Sequence, residues 1–174
     1  MGRSKLNNTN QNHGYPYDSY QPHIVATLAD AVKNLKTFYA ARCTILVGHS
    51  GGGIMSAIIL GKYPGLANNA VLASIVGNPR EWASKHGFGD FKNSLLPNDF
   101  VNGIPKQDYV YIVSGDNDTN TYPDMAKSYY DLLIKRGVHA QWLSVLGGTH
   151  NSVVLSDAKA FEEAIQAAID RCSN

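Results

Sequence analysis

The sequence predicts an α/β fold: a parallel sheet of about four strands with helices on both faces. Three observations carry this. Short apolar runs of strand length recur along the chain, stretches of helical period separate them, and polar or glycine-rich loops follow them. Strands that alternate with helices run parallel, because each helix returns the chain across the sheet before the next strand begins.

In chain order, residues 1–21 are rich in Asn, Gln, Tyr and Gly without any period, and read as an irregular N-terminal arm. After Pro22, the spacing of Ile24, Leu28, Val32, Leu35 and Phe38 predicts an amphipathic helix to about Ala40. Cys43 to Val47 is an apolar run rich in β-branched residues, the length of a buried strand. Gly48-His49-Ser50-Gly51-Gly52-Gly53 turns the chain into a helix marked by Ile54, Met55, Ile58 and Ile59, which stops before Pro64-Gly65. Ala70 to Val76 is a second strand, and an irregular insertion from Asn78 to Lys106 follows it. Tyr109 to Val113 is a third strand, ending in the polar loop from Ser114 to Asn120. Thr121 with Asp124 three residues on, and Pro123 between them, reads as a helix start. Met125, Tyr129 and Leu132 line that helix and Gly137 closes it. Ala140 to Leu146 is the fourth strand. The loop from Gly147 to Asn151 leads to a last helix from about Ser156, with Phe161, Ile165 and Ile169 turned inward.

The chain has 174 residues, enough for one domain with its own core, and 15 basic against 14 acidic residues leave no basic stripe for nucleic acid. No apolar run has the length of a membrane span, and the N-terminus lacks the apolar core of a signal peptide, so the expectation is a cytoplasmic protein with no membrane contact. Cys43 opens an apolar run and reads as a buried thiol, whereas Cys172 lies in a polar tail; two cysteines are no framework, so free thiols are expected over a disulfide.

Chemistry gathers where the topology points. In a parallel sheet all strand C-terminal ends share one edge, and sites form in the loops there. The loops leaving the first, third and fourth strands contain Ser50, the pair Asp116 and Asp118, and His150. A serine hydroxyl becomes a nucleophile when a base accepts its proton, and imidazole does so near neutral pH. A carboxylate then fixes the imidazole tautomer and stabilises the imidazolium. Side chains at Gly48 or Gly52 are expected to collide with neighbouring backbone in the turn, and the Gly51 N–H, at the helix start, is the expected first oxyanion donor.

The motif Gly48-His49-Ser50-Gly51-Gly52 resembles the nucleophile elbow of the α/β-hydrolase superfamily. Gly115-Asp116-Asn117-Asp118 resembles its Gly-x-x-Asp acid loop, which selects Asp118 over Asp116, and Gly147-Gly148-Thr149-His150 resembles its Gly-x-x-His loop. The set covers the chain from about Pro22, residues 22–174, and is most similar to small esterases and to prolyl-oligopeptidase-like catalytic domains. The resemblance implies a reduced α/β-hydrolase core. It also implies several strands before the elbow strand, for which this sequence has no room. The upstream loop that supplies the second oxyanion amide is therefore missing, and the elbow strand becomes an exposed sheet edge. Such edges recruit partners. The expected cover is the arm or a second copy of the chain, a homodimer or other self-association.

The activity implied is hydrolysis of small carboxylic esters, short acyl chains favoured, through an acyl-enzyme on Ser50 with no cofactor. A prolyl-oligopeptidase-like peptidase is one alternative. Another is a catalytically weak remnant serving as a binding or structural module. The insertion at about 78–106 stands where the family places a cap, and Trp82, Phe88, Phe91 and Phe100 are candidate substrate-pocket residues, or else pack on the sheet. Among the other histidines, His139 opens its strand and falls on the opposite edge; His13 and His23 belong with the arm and His86 with the insertion; His49 reads as a packed elbow residue pointing away. None shows metal-ligand spacing, so no metal is expected.

Overall fold

The computed structural model describes residues 18–88, 91–155 and 158–173, so the arm expected over 1–21 lies outside it except for 18–21. The helices are α1 (Pro22–Phe38), α2 (Gly51–Lys62), α3 (Pro79–Lys85), α4 (Pro97–Phe100), α5 (Pro123–Lys135) and α6 (Lys159–Ser173). The strands are β1 (Ile45–His49), β2 (Asn69–Ala73), β3 (Tyr109–Gly115) and β4 (His139–Val145), paired in parallel in the order β1-β2-β3-β4.

Alternation along the strands divides the core in two. Ala70, Leu72, Val110 and Ile112 turn to one face, where they meet Val25 and Ala29 of α1, Ile54, Ile58 and Ile59 of α2, and Met125, Tyr129 and Leu133 of α5. Val71, Ala73, Tyr111 and Val113 turn to the other, covered by Ala164 and Ala168 of α6. The interior strand β2 is buried at all five positions, which is why the sequence is continuously apolar from Ala70 on, after the buried Asn69. At the other extreme, β1 is a sheet edge among the described residues, and its Val47 is 47% exposed.

The cysteines depart from expectation. Cys43 and Cys172 form a disulfide, with Cα atoms 5.6 Å apart. Cys172 is not in a tail: it occupies the last turn of α6, and the packing of that helix across the sheet carries it to the chain just before β1. The described residues contain no helix long and apolar enough to cross a membrane.

Candidate active site

Parallel pairing puts the C-terminal ends of β1, β3 and β4 at one edge, and the chain turns there into the three loops of interest. Ser50 follows β1 directly. Its φ of 53° and ψ of −122° are a strained conformation for a side-chain-bearing residue, fixed by Ser50 N–H donating to Ala73 O at 2.9 Å and by α2 starting at the next residue. Gly48 makes the turn possible: a Cβ there would stand 2.4 Å from Gly52 O. The expected collision at Gly52 is absent, since a Cβ there meets nothing within 4 Å; the tight position is Gly53, where it would meet Ile75 Cγ2 at 2.3 Å.

The acid and histidine loops are stitched to each other by backbone bonds, Asp116 N–H to Val145 O (3.2 Å) and Asn117 N–H to Gly148 O (2.9 Å). Their close approach requires a glycine at 115, because a Cβ there would lie 2.2 Å from Gly148 O. The result is a continuous chain of contacts. His150 Nε2 is 2.9 Å from Ser50 Oγ, and His150 Nδ1 is 3.0 Å from Asp118 Oδ2. Asp118 Oδ1 accepts the N–H groups of Asn120 (2.8 Å) and Thr121 (2.9 Å). Thr121 Oγ1 donates to Oδ2 at 2.6 Å and lies 3.2 Å from His150 Nδ1. Burial alone would raise the Asp118 carboxyl, but the hydrogen bonds from His150, Thr121 and the two backbone amides outweigh it and hold the group well below the usual carboxylate range. It is therefore an anion at neutral pH although only 2% exposed. Asp116 takes no part; its Oδ1 accepts from Gly147 N–H.

Two of these contacts differ from the expectation. Thr121 does not cap α5, whose N-cap is Tyr122 with no side-chain bond; its hydroxyl serves Asp118 instead. His49 does not point away. Its Nε2–H donates to the His150 carbonyl at 2.7 Å, and Ser74 Oγ–H donates to the same oxygen at 3.1 Å, so two side chains anchor the backbone of the histidine loop. His139 opens β4 at the far edge, as its position predicts.

Beside Ser50 is a cavity of about 60 Å³ lined by Tyr20, Gly51, Ile54, Val76, Pro79, Trp82, Phe91 and Thr121. Trp82 and Phe91 are thus in the pocket. Phe88 packs against the Trp82 and His86 rings and is 40% exposed, without lining the cavity. Phe100 is the clearest correction: it ends α4, where its backbone sits over Gly61 and its ring under the Lys62 ammonium, away from Ser50. The insertion is tied to the acid loop by Trp82 Nε1–H, which donates to Asn120 O at 2.9 Å.

A strained serine at a strand-to-helix turn, with acid and histidine loops at the same edge of a parallel sheet, defines the α/β-hydrolase fold, and comparison with solved structures gives the same result. Pyrococcus horikoshii acylaminoacyl peptidase superposes with a TM-score of 0.69 at 11% identity, over 88% of this chain and 28% of that one. A puromycin-hydrolyzing peptidase of Mycobacterium tuberculosis gives 0.70 at 15% identity, over 90% and 26%. Esterase PE8 gives 0.64 at 17% identity, over 85% and 60%. The chain therefore spans only about a quarter of the two peptidases and 60% of the esterase. No family model and no curated protein matches the sequence. At these identities the likeness establishes the fold.

Proposed function

We propose that this protein is a serine hydrolase that cleaves carboxylic esters with short acyl chains through an acyl-enzyme on Ser50. The observation that carries the reading is the unbroken contact chain from Ser50 Oγ through His150 to an ionised Asp118. In this mechanism Ser50 Oγ attacks the ester carbonyl while His150 Nε2 takes its proton. Asp118 holds the proton on Nδ1, leaving Nε2 free to accept, and stabilises the imidazolium. The carbonyl π electrons move onto oxygen, beside the Gly51 N–H at the unpaired start of α2. Collapse expels the alcohol, which receives the proton from His150. Water, activated by the same base, then releases the acid and restores Ser50.

The cavity favours a short acyl group, since about 60 Å³ is far below the ~300–1,000 Å³ of sites for drug-sized ligands. The peptidase reading draws on the likeness to two peptidases, but each of those chains is several times longer than the part matched. As for compartment, the Cys43–Cys172 disulfide favours an oxidising environment over a reducing cytoplasm.

The experiment compares p-nitrophenyl acetate, butyrate and octanoate with proline-containing peptide amides, on wild type and Ser50→Ala. Turnover of the short esters that disappears in Ser50→Ala supports the proposal. Preference for the amides favours a peptidase, and no turnover of any substrate defeats the catalytic reading.

A further inference from the structure

An oxyanion formed next to Ser50 is poorly held by one amide, and removal of a single donor from such a site costs about two to three orders of magnitude in rate. The Gly51 N–H is one donor. Another group reaches the same place from outside the triad loops. Tyr20 lies just before α1 and lines the cavity beside Ser50 and Gly51. Its hydroxyl stands 3.0 Å from the point where a Cβ on Gly51 would be, in space that the glycine leaves free.

The phenol is held there from three sides. Tyr20 N–H donates to Ser94 Oγ at 3.2 Å, and Leu95 N–H donates to Tyr20 O at 2.8 Å. The ring stacks on Phe91 with centroids 5.9 Å apart. Two residues earlier, Asp18 accepts from Ser94 Oγ (2.6 Å) and Asn93 Nδ2 (2.9 Å), clasping the segment to the insertion. Every one of these contacts uses the backbone, the ring or a neighbour. The hydroxyl itself has no hydrogen-bond partner among the described residues, and it is the polar end of a half-buried side chain that lines the cavity beside Ser50.

We propose that the Tyr20 hydroxyl is the second oxyanion donor of the Ser50 site, in the role that an upstream backbone amide would otherwise fill. Carbonyl oxygen, as it gains the π electron pair, accepts hydrogen bonds from Gly51 N–H and Tyr20 O–H; no proton leaves the phenol, and the bond is released when the carbonyl re-forms. Burial pushes the Tyr20 hydroxyl up to about 12, so it remains a neutral donor at neutral pH. The insertion thereby acquires a part in catalysis, because the clasp at Asp18, Asn93 and Ser94 sets where the donor stands.

The inference rests on the hydrolase reading, and the test separates the two. Tyr20→Phe keeps the ring and its stacking and removes only the hydroxyl. Expected is a fall in kcat of about 10²- to 10³-fold with KM within about threefold. Affinity for an alkyl trifluoromethyl ketone, which forms a tetrahedral oxyanion on Ser50, falls by a comparable factor, and the melting temperature stays unchanged. Full activity and full ketone affinity in Tyr20→Phe, with Ser50→Ala inactive, overturn the Tyr20 assignment and leave the hydrolase standing. A rise in KM with kcat preserved also overturns it, because that marks a packing role. If wild type neither turns over esters nor captures the ketone, both proposals fall.

Discussion

Asp118→Asn changes one atom and should remove most of the catalysis, for a reason that can be worked through in the hydrogen bonds. Asp118 Oδ1 receives two backbone N–H groups, from Asn120 and Thr121, and only an acceptor satisfies them. An asparagine must therefore keep its oxygen in that position and turn its NH2 toward Thr121 Oγ1 and His150 Nδ1. Facing a donor, Nδ1 becomes an acceptor and the ring proton moves to Nε2, where it points at Ser50 Oγ. The base is then in the wrong tautomer. Such a change in a serine triad lowers kcat by about 10⁴, equivalent to about 5.5 kcal/mol in the barrier. Asp116→Asn is the matched control. That side chain accepts from Gly147 N–H without reaching His150, so its loss should change kcat by less than about threefold. The assay is kcat on a short p-nitrophenyl ester, with a thermal melt to show that each variant is folded. Equal losses at 116 and 118, or near-full activity in folded Asp118→Asn, would refute the assignment.

Three further outcomes follow from packing and burial. The disulfide closes a loop with a sequence separation of 129, for which chain entropy predicts up to about 5 kcal/mol; reductant should lower the urea midpoint by an amount worth about 3–5 kcal/mol, and an unchanged midpoint would count against the crosslink. Gly48→Ala should lose at least about 3 kcal/mol or fail to yield soluble protein, since its Cβ would stand 2.4 Å from Gly52 O, whereas Gly52→Ala should melt close to wild type. Asp108 is 2% exposed with Oδ2 unpartnered, and burial, opposed by the Lys36 charge, raises it to about 6. Because the folded state binds this proton more tightly than the unfolded chain (about 3.9), stability is lost as pH rises from about 4 through 6. Asp108→Asn should therefore match wild type in melting temperature at pH 4 and exceed it at pH 7.5; a constant difference across that range would contradict this.

The strands and the triad loops were legible because their signals are local. β2 is buried on both faces and apolar from Ala70 to Ala73, only Asn69 at its start being polar, and Gly48-His49-Ser50-Gly51-Gly52 encodes its turn within five residues. What escaped the sequence depends on distance through space. Thr121 carries the pattern of a helix cap, and nothing local reveals that its hydroxyl bonds Asp118. Trp82, Phe91 and Phe100 are alike as aromatic residues of one insertion, but α4 turns Phe100 toward α2 while the first two reach the cavity. Cys172 meets Cys43 only because α6 spans the sheet. Tyr20 sits in a stretch with no period, and its place beside Ser50 is set by Ser94 and Phe91, more than seventy residues away in the chain.

The Ser50–His150 pair is tested most directly by site mapping after treatment with a fluorophosphonate, which reacts with a serine only when a base activates it. One adduct per chain is expected, located on Ser50 by peptide mass, absent in Ser50→Ala and slowed by orders of magnitude in His150→Ala. An unlabelled protein, or labelling of Ser50 at the same rate without the imidazole of His150, would contradict it.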